Sequence, residues 1–326
     1  MSISHSKMLI RSAKEAVAAA SYCPRKLTAI HAGAAAGASI LVTVLSLLLR
    51  SGISDAGGLS GIGTAALFQT AQSLLEILLS LLLPFWSMGF TAAAVHLARQ
   101  QRATPHTLLT GLRRWGPALR LMILEAVIYF MVMLAAVQLG SMLYTMTPFS
   151  AQFQEVMQPL LVSGNTDPQA MMELMLSLDA HTLLQIFLTM RPFTVLPAVV
   201  VLVYVSYRLR LAQFILMDEP RVGAMYAVLM SFRLMRRKVG KLLRLDLRYW
   251  WFYALDLLLL AVCYGELALP HLGVTLPLDP ALVSFLFYVA AMAGQMVLYV
   301  WKQPQVMTTY ALFYEDLLPT EEPQAV

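Results

Sequence analysis

Charge is what this chain has least of: Asp, Glu, Lys and Arg together make only 13% of its 326 residues, about half the share usual in a soluble domain. With 59% of the residues apolar and a positive mean hydropathy, the deficit argues against an ordinary water-soluble globule and for lipid as solvent. Cysteine is almost absent. Cys23 and Cys263 have no neighbours at metal-ligand spacing, and the topology derived below puts them on opposite sides of a membrane, so no disulfide between them is expected. Acids are outnumbered, 18 to 23, giving a net charge of +5, but the cations lie beside apolar runs, so topology explains them better than nucleic acid does. No HExxH, GxSxG, P-loop or CxxC occurs, so no enzyme, cofactor or metal is expected. His5, His31, His96, His106, His181 and His271 stand singly and read as packing or interface residues. Lys7, Arg11, Lys14 and Glu15 interrupt any signal-peptide core, so no cleaved leader is expected.

What the chain does have is long apolar runs. Six are long enough to cross a hydrocarbon core of roughly 30 Å at 1.5 Å per residue: about 28–49, 74–97, 119–139, 193–217, 249–269 and 281–300. Inside the first, Gly33 and Gly37 make a small-xxx-small pattern for close helix packing, within the monomer or between copies. Residues 51–64 are Gly-rich and read as a flexible external loop, and Pro84 marks a kink in the second span. The long connection 140–192 is acidic and is expected to hold two outer helices near 151–162 and 168–189, the second started by Asp167-Pro168. Met171, Met172 and Met175 in it read as packing residues, since no Cys or second Met cluster supports a soft-metal site. Residues 271–280 read as a Pro-rich outer loop, the stretch after Lys302 as a short separate amphipathic helix, and the last residues as a disordered tail.

Cation placement orients the spans. Of the 23 Lys and Arg residues only Arg50 and Arg191 fall on the outer side, which predicts six spans with both termini in the cytoplasm. Ten cations crowd into residues 207–256. Within that stretch Arg233, Arg237, Lys241, Arg244 and Arg248 recur at helical spacing, so a single helix over 218–248 would align them along one side. Tyr249, Trp250 and Trp251 follow, where aromatic rings sit at headgroup level. The stripe reads either as a solvated basic face or as a contact for anionic lipid headgroups, worth about 1 kcal/mol per cation near the surface.

Two acids inside apolar runs, Glu125 and Asp256, are the informative polar residues. Each follows a basic and aromatic segment and lies roughly 12–14 Å along a helix from it. Carboxyls in hydrocarbon are costly and usually face the bundle interior, paired or protonated. A structural pairing with Arg, Tyr or backbone is one reading; a proton or cation relay is the other.

The motifs ILMDEP (215–220), Ser231, Met235 and Gly240, LLRLDLRYWW (242–251), and Pro304 followed by Tyr310 and Phe313-Tyr314-Glu315 resemble a bacterial integral membrane family, domain of unknown function nine-seven-five. RSAKEAV near the amino terminus, Gly89, Leu109 and Gly111-Leu112-Arg113 add to the resemblance. It implies a six-helix membrane protein with cytoplasmic amphipathic segments and supplies no activity.

The expectation is therefore an all-α polytopic membrane bundle of about six transmembrane helices plus interfacial helices. Residues 1–27 form a cytoplasmic amphipathic helix, 28–302 the transmembrane domain and 303–326 a cytoplasmic terminal segment. Two functions compete: a non-enzymatic factor in the bacterial plasma membrane that binds anionic lipid and holds a membrane-protein partner or a second copy, and a small transporter or channel using Glu125 and Asp256.

Overall fold

Runs of Leu, Ala and Met favour helix because side chains unbranched at Cβ lose little rotamer freedom there, and every regular element among the described residues is helical. The computed structural model describes residues 3–20, 22–55, 59–151, 154, 155, 158, 180–265 and 280–318. In chain order the helices are α1 (Ile3–Ala19), α2 (Pro24–Asp55), α3 (Leu59–Ala98), α4 (Pro105–Leu108), α5 (Thr110–Arg113) and α6 (Trp115–Thr145). After a 3-10 turn at Pro148–Ser150 come α7 (Ala180–Leu209), α8 (Ala212–Asp218), α9 (Ala224–Leu234), α10 (Val239–Asp246), α11 (Trp250–Cys263) and α12 (Pro280–Glu315).

The chain divides into two units, Met1–Leu121 with Leu211–Val326, and Met122–Arg210. In the first, α12 is the spine against which α1, α2, α3 and α11 pack. Leu27, Phe90, Ala93, Leu97, Ala103 and Leu108 form a core cluster, with Tyr22, Trp86 and Met307 against it. The crossing of α3 with α4 and α5 is very close. A Cβ built on Gly89 would lie 1.8 Å from the Leu108 carbonyl oxygen, and one on Gly111 1.9 Å from that of Phe85. Only glycine lets the backbones approach so far. Of the small-xxx-small pair, Gly33 meets Met296 of α12, while Gly37 faces open space.

In the second unit α6 and α7 meet at Gly140, where a Cβ would lie 2.4 Å from the Phe193 carbonyl oxygen. Beside it the Tyr144 ring packs on Phe193, and its hydroxyl bonds to Thr189 at 3.2 Å.

Among the described residues, five helical stretches are long and apolar enough to cross a membrane: Pro24–Val44, Ser73–Ala98, Trp115–Thr145, Leu188–Asp218 and Leu282–Glu315. They expose large apolar side chains, Phe130 to 63% and Val297 to 70%. Water disfavours that face and lipid does not. The fifth expected span, 249–269, is different. Its helix α11 has 14 residues, roughly 21 Å, and residues 266–269 lie outside the described residues.

Four local expectations are corrected. Of the Gly-rich stretch 51–64, expected as a loop, residues 51–55 continue α2 and 59–64 open α3, while 56–58 lie outside the described residues; helix extension adds a hydrogen bond per residue and outweighs the weak preference of Gly61 and Gly63. The segment after Lys302 is not a separate helix. It continues α12 through Pro304, held by packing on α1 and α3 that offsets a proline cost of about 3 kcal/mol. The fourth expected span, 193–217, lies within the apolar stretch Leu188–Asp218 but is not one continuous helix: α7 ends at Leu209 and α8 starts at Ala212 after a turn. Of the outer helix expected over 168–189, residues 180–189 are the start of α7 and run into the fourth span without a break, while 168–179 with Met171, Met172 and Met175, the loop 271–279 and the tail from 319 lie outside the described residues.

Candidate functional site

The C-terminal ends of α3, α8 and α12 converge, and two of them end on an acid, Asp218 and Glu315. An acid at a helix C-terminus faces the negative end of the dipole and needs a cation. Arg99, immediately after α3, supplies it. Its Nη1 and Nη2 donate to the two Asp218 oxygens at 2.6 and 2.7 Å, and its Nε to Glu315 at 2.8 Å. Tyr314 donates a third hydrogen bond to Asp218 at 3.1 Å. The pair is well shielded, with side-chain exposures of 34% for Arg99 and 11% for Asp218. The Asp218 bonds and the nearby Glu315 raise the pKa of Arg99 further above its ordinary value, so it stays protonated.

Arg114 closes the same end from the other side. Its guanidinium donates to the carbonyls of Leu216 and Met217 at 2.6 and 3.4 Å and of Glu219 and Pro220 at 3.0 and 2.9 Å. Last-turn carbonyls of a helix lack backbone partners, and one guanidinium serves several of them here. Burial lowers the pKa of Arg114 from its ordinary value without removing its charge. Thus the ILMDEP motif is the buried end of α8, with Phe214 to Met217 in the core and Glu219 and Pro220 exposed beyond it, and Arg99 and Arg114 tie that end.

A second polar set joins α10 and α11 to α12. Tyr310 donates to Asp246 and shares a short hydroxyl contact with Tyr253, and the Tyr249 hydroxyl bonds to Thr309 at 2.9 Å. Further along the same pair of helices, Asp256 accepts from Tyr299 at 2.9 Å and from Gln295 at 3.2 Å. Asp256 is therefore held by hydroxyl and amide groups of α12, the structural pairing that was one of its two readings. Glu125 lies in the second unit, half-buried on α6 one turn from Tyr129, whose hydroxyl feels its charge.

The basic stripe is not one helix face. The chain leaves α9 at Leu234, Arg237 adopts a φ of +65°, and α10 starts at Val239. Arg233 thus lies on α9, Arg237 in the turn, Lys241 and Arg244 on α10, and Arg248 after it. Lys241 is close enough to Lys238 for its pKa to be lowered by slight burial and by that neighbour.

Two histidines have built environments. His31 stacks on Phe90 and Trp86 at ring distances of 4.6 and 6.0 Å, and its carbonyl accepts from the Trp86 indole at 3.0 Å. His5 bonds to Asp316 at 3.1 Å. Among the described residues no three His, Cys, Asp or Glu side chains group as metal ligands would.

Sequence reasoning missed Arg99, Asp218, Arg114, Asp246 and Tyr310 as a connected set. Their motifs were visible, but partners 64 to 119 residues apart leave no local pattern.

These features define a helical protein whose long apolar helices suit a membrane and whose polar side chains tie helix ends together. The chain belongs to the family described as protein of unknown function DUF975, whose model matches residues 25–321. No curated protein and no solved structure matches it.

Proposed function

We propose that the protein is a non-enzymatic, multi-pass factor of the bacterial plasma membrane, with both termini cytoplasmic, that binds anionic lipid and holds a partner protein or a second copy of itself. One observation carries this reading over transport: the intramembrane acid Asp256 is engaged by Tyr299 and Gln295. A carboxyl fixed between two side chains of the neighbouring helix serves packing, as the Asp218 and Asp246 pairs do. The cation excess and the distribution of Arg233, Arg237, Lys241, Arg244 and Arg248 support contact with anionic headgroups.

Reconstitution tests the two readings together. Full-length protein and the Asp256→Asn variant are placed in vesicles of phosphatidylcholine with phosphatidylglycerol, and co-purifying lipid and proton and cation flux are measured. The expected result is retention of phosphatidylglycerol over phosphatidylcholine by both proteins, with flux at the level of empty vesicles. A flux that disappears in the Asn variant makes the protein a transporter and overturns the proposal.

A further inference from the structure

A groove of about 360 Å³ lies between the C-terminal half of α1, the start of α2 and the middle of α12. That is the size of a small-ligand site. Its lining gathers Lys14, Arg25 and Lys302 with Trp301 and Gln305, and contains no acid. Among the described residues, the side-chain charges acting on Lys302 are those of Lys14 and Arg25. Three like charges on one concavity repel, so the arrangement costs free energy unless an anion sits among them.

The geometry keeps the cations in place without neutralising them. Lys302 Nζ lies 4.5 Å from the Trp301 ring centre and 5.5 Å from that of Trp251, so cation–π attraction orients the ammonium and leaves its protons free to donate. Arg25 is the second residue of α2, a helix of 32 residues, and the positive end of that dipole adds to the side-chain charges. Trp301, 54% exposed, borders the groove, and Val297, 70% exposed, lies one turn back on the same face of α12. An anion here therefore has an aromatic ring and an apolar helix face beside it.

We propose that this groove seats the phosphate headgroup of an anionic phospholipid, with Lys14, Arg25 and Lys302 around the phosphate and the acyl chains running along the Val297 face. The assignment rests on the membrane reading above and gives it a site, separate from the basic segment 233–248.

The test is native mass spectrometry of the full-length protein in neutral detergent, titrated with phosphatidylglycerol or phosphatidylcholine. The expected outcome is a preference for phosphatidylglycerol that weakens about fivefold in Lys302→Gln and about a hundredfold in the triple variant Lys14→Gln, Arg25→Gln, Lys302→Gln. It should survive in Lys302→Arg, in Arg233→Gln with Arg237→Gln, and in millimolar glycerol 3-phosphate. Loss in Lys302→Arg equal to that in Lys302→Gln would mean that packing rather than charge is at stake, and the assignment falls. A preference lost in the Arg233 and Arg237 variant but kept in the triple variant moves the site elsewhere while the lipid reading stands. Displacement by glycerol 3-phosphate assigns the groove to a free phosphate. A wild-type protein that does not distinguish the two lipids ends both readings.

Discussion

Arg99 is asked to satisfy two acids from different helices at once, and its planar fork is the side chain suited to that, since a lysine offers one point charge in place of two parallel donors. Charged, two-pronged and shielded, this pair has the traits that make an ion pair count. In a double-mutant cycle of Arg99→Gln and Asp218→Asn, monitored by thermal unfolding in detergent, we expect a coupling energy of about 2 kcal/mol. Additive effects of the two changes would show that the pair contributes nothing of its own. At Arg237 the reasoning runs in the opposite direction. A left-handed backbone costs an arginine about 1–2 kcal/mol, part of which glycine gives back through its freer unfolded chain. Arg237→Gly should therefore stabilise by about 0.5 kcal/mol, seen as a small rise in the melting midpoint; a fall would mean that the arginine side chain matters more than its backbone. The even spacing of cations was plain in the sequence, but the turn that breaks it was hidden, because arginine carries no left-handed preference and Gly240 stands three residues too late.

Helices were the most legible part of the chain. Apolar runs announced α2, α3, α6, α7 and α12, and the family motifs marked the places that later proved to be polar ties. Where each helix stops was less legible. Pro304 suggested an end, and Gly61 and Gly63 suggested a loop, but both lie inside helices, because local preference is a weak prior that tertiary context overrides. Glycine acts at this scale through closeness. Gly111 lies against the Phe85 carbonyl and Gly37 against nothing within 4 Å, so the same change should act with opposite sign. Gly111→Ala forces α3 and α5 apart and should cost about 2–3 kcal/mol, whereas Gly37→Ala should gain up to about 1 kcal/mol from helix preference alone. Parallel unfolding curves compare them directly, and equal effects would mean that the crossing is looser than its geometry.

At the scale of the whole molecule, the open point is how α11 relates to the bilayer, because its 14 residues fall short of a full crossing. The two free cysteines report on it. Cys23 is exposed just before α2, and Cys263 is half-buried at the end of α11. On the proposed topology, a membrane-impermeant maleimide applied to single-cysteine variants labels Cys23 only in inside-out vesicles and Cys263 only from the opposite face. Labelling of both from one side would make α11 a helix that enters the membrane and does not cross it.

The position of α12 in the chain has a consequence for how the protein is made. Tyr310, Tyr314 and Glu315 complete ties to Asp246, Asp218 and Arg99, and the ribosome delivers them after every helix they fasten. Until then the acids of α8 and α10 lack those partners, so a nascent chain stalled before residue 310 carries its charges half-matched. Emergence of α12 is thus also the step at which the ends of α3, α8 and α10 gain these ties.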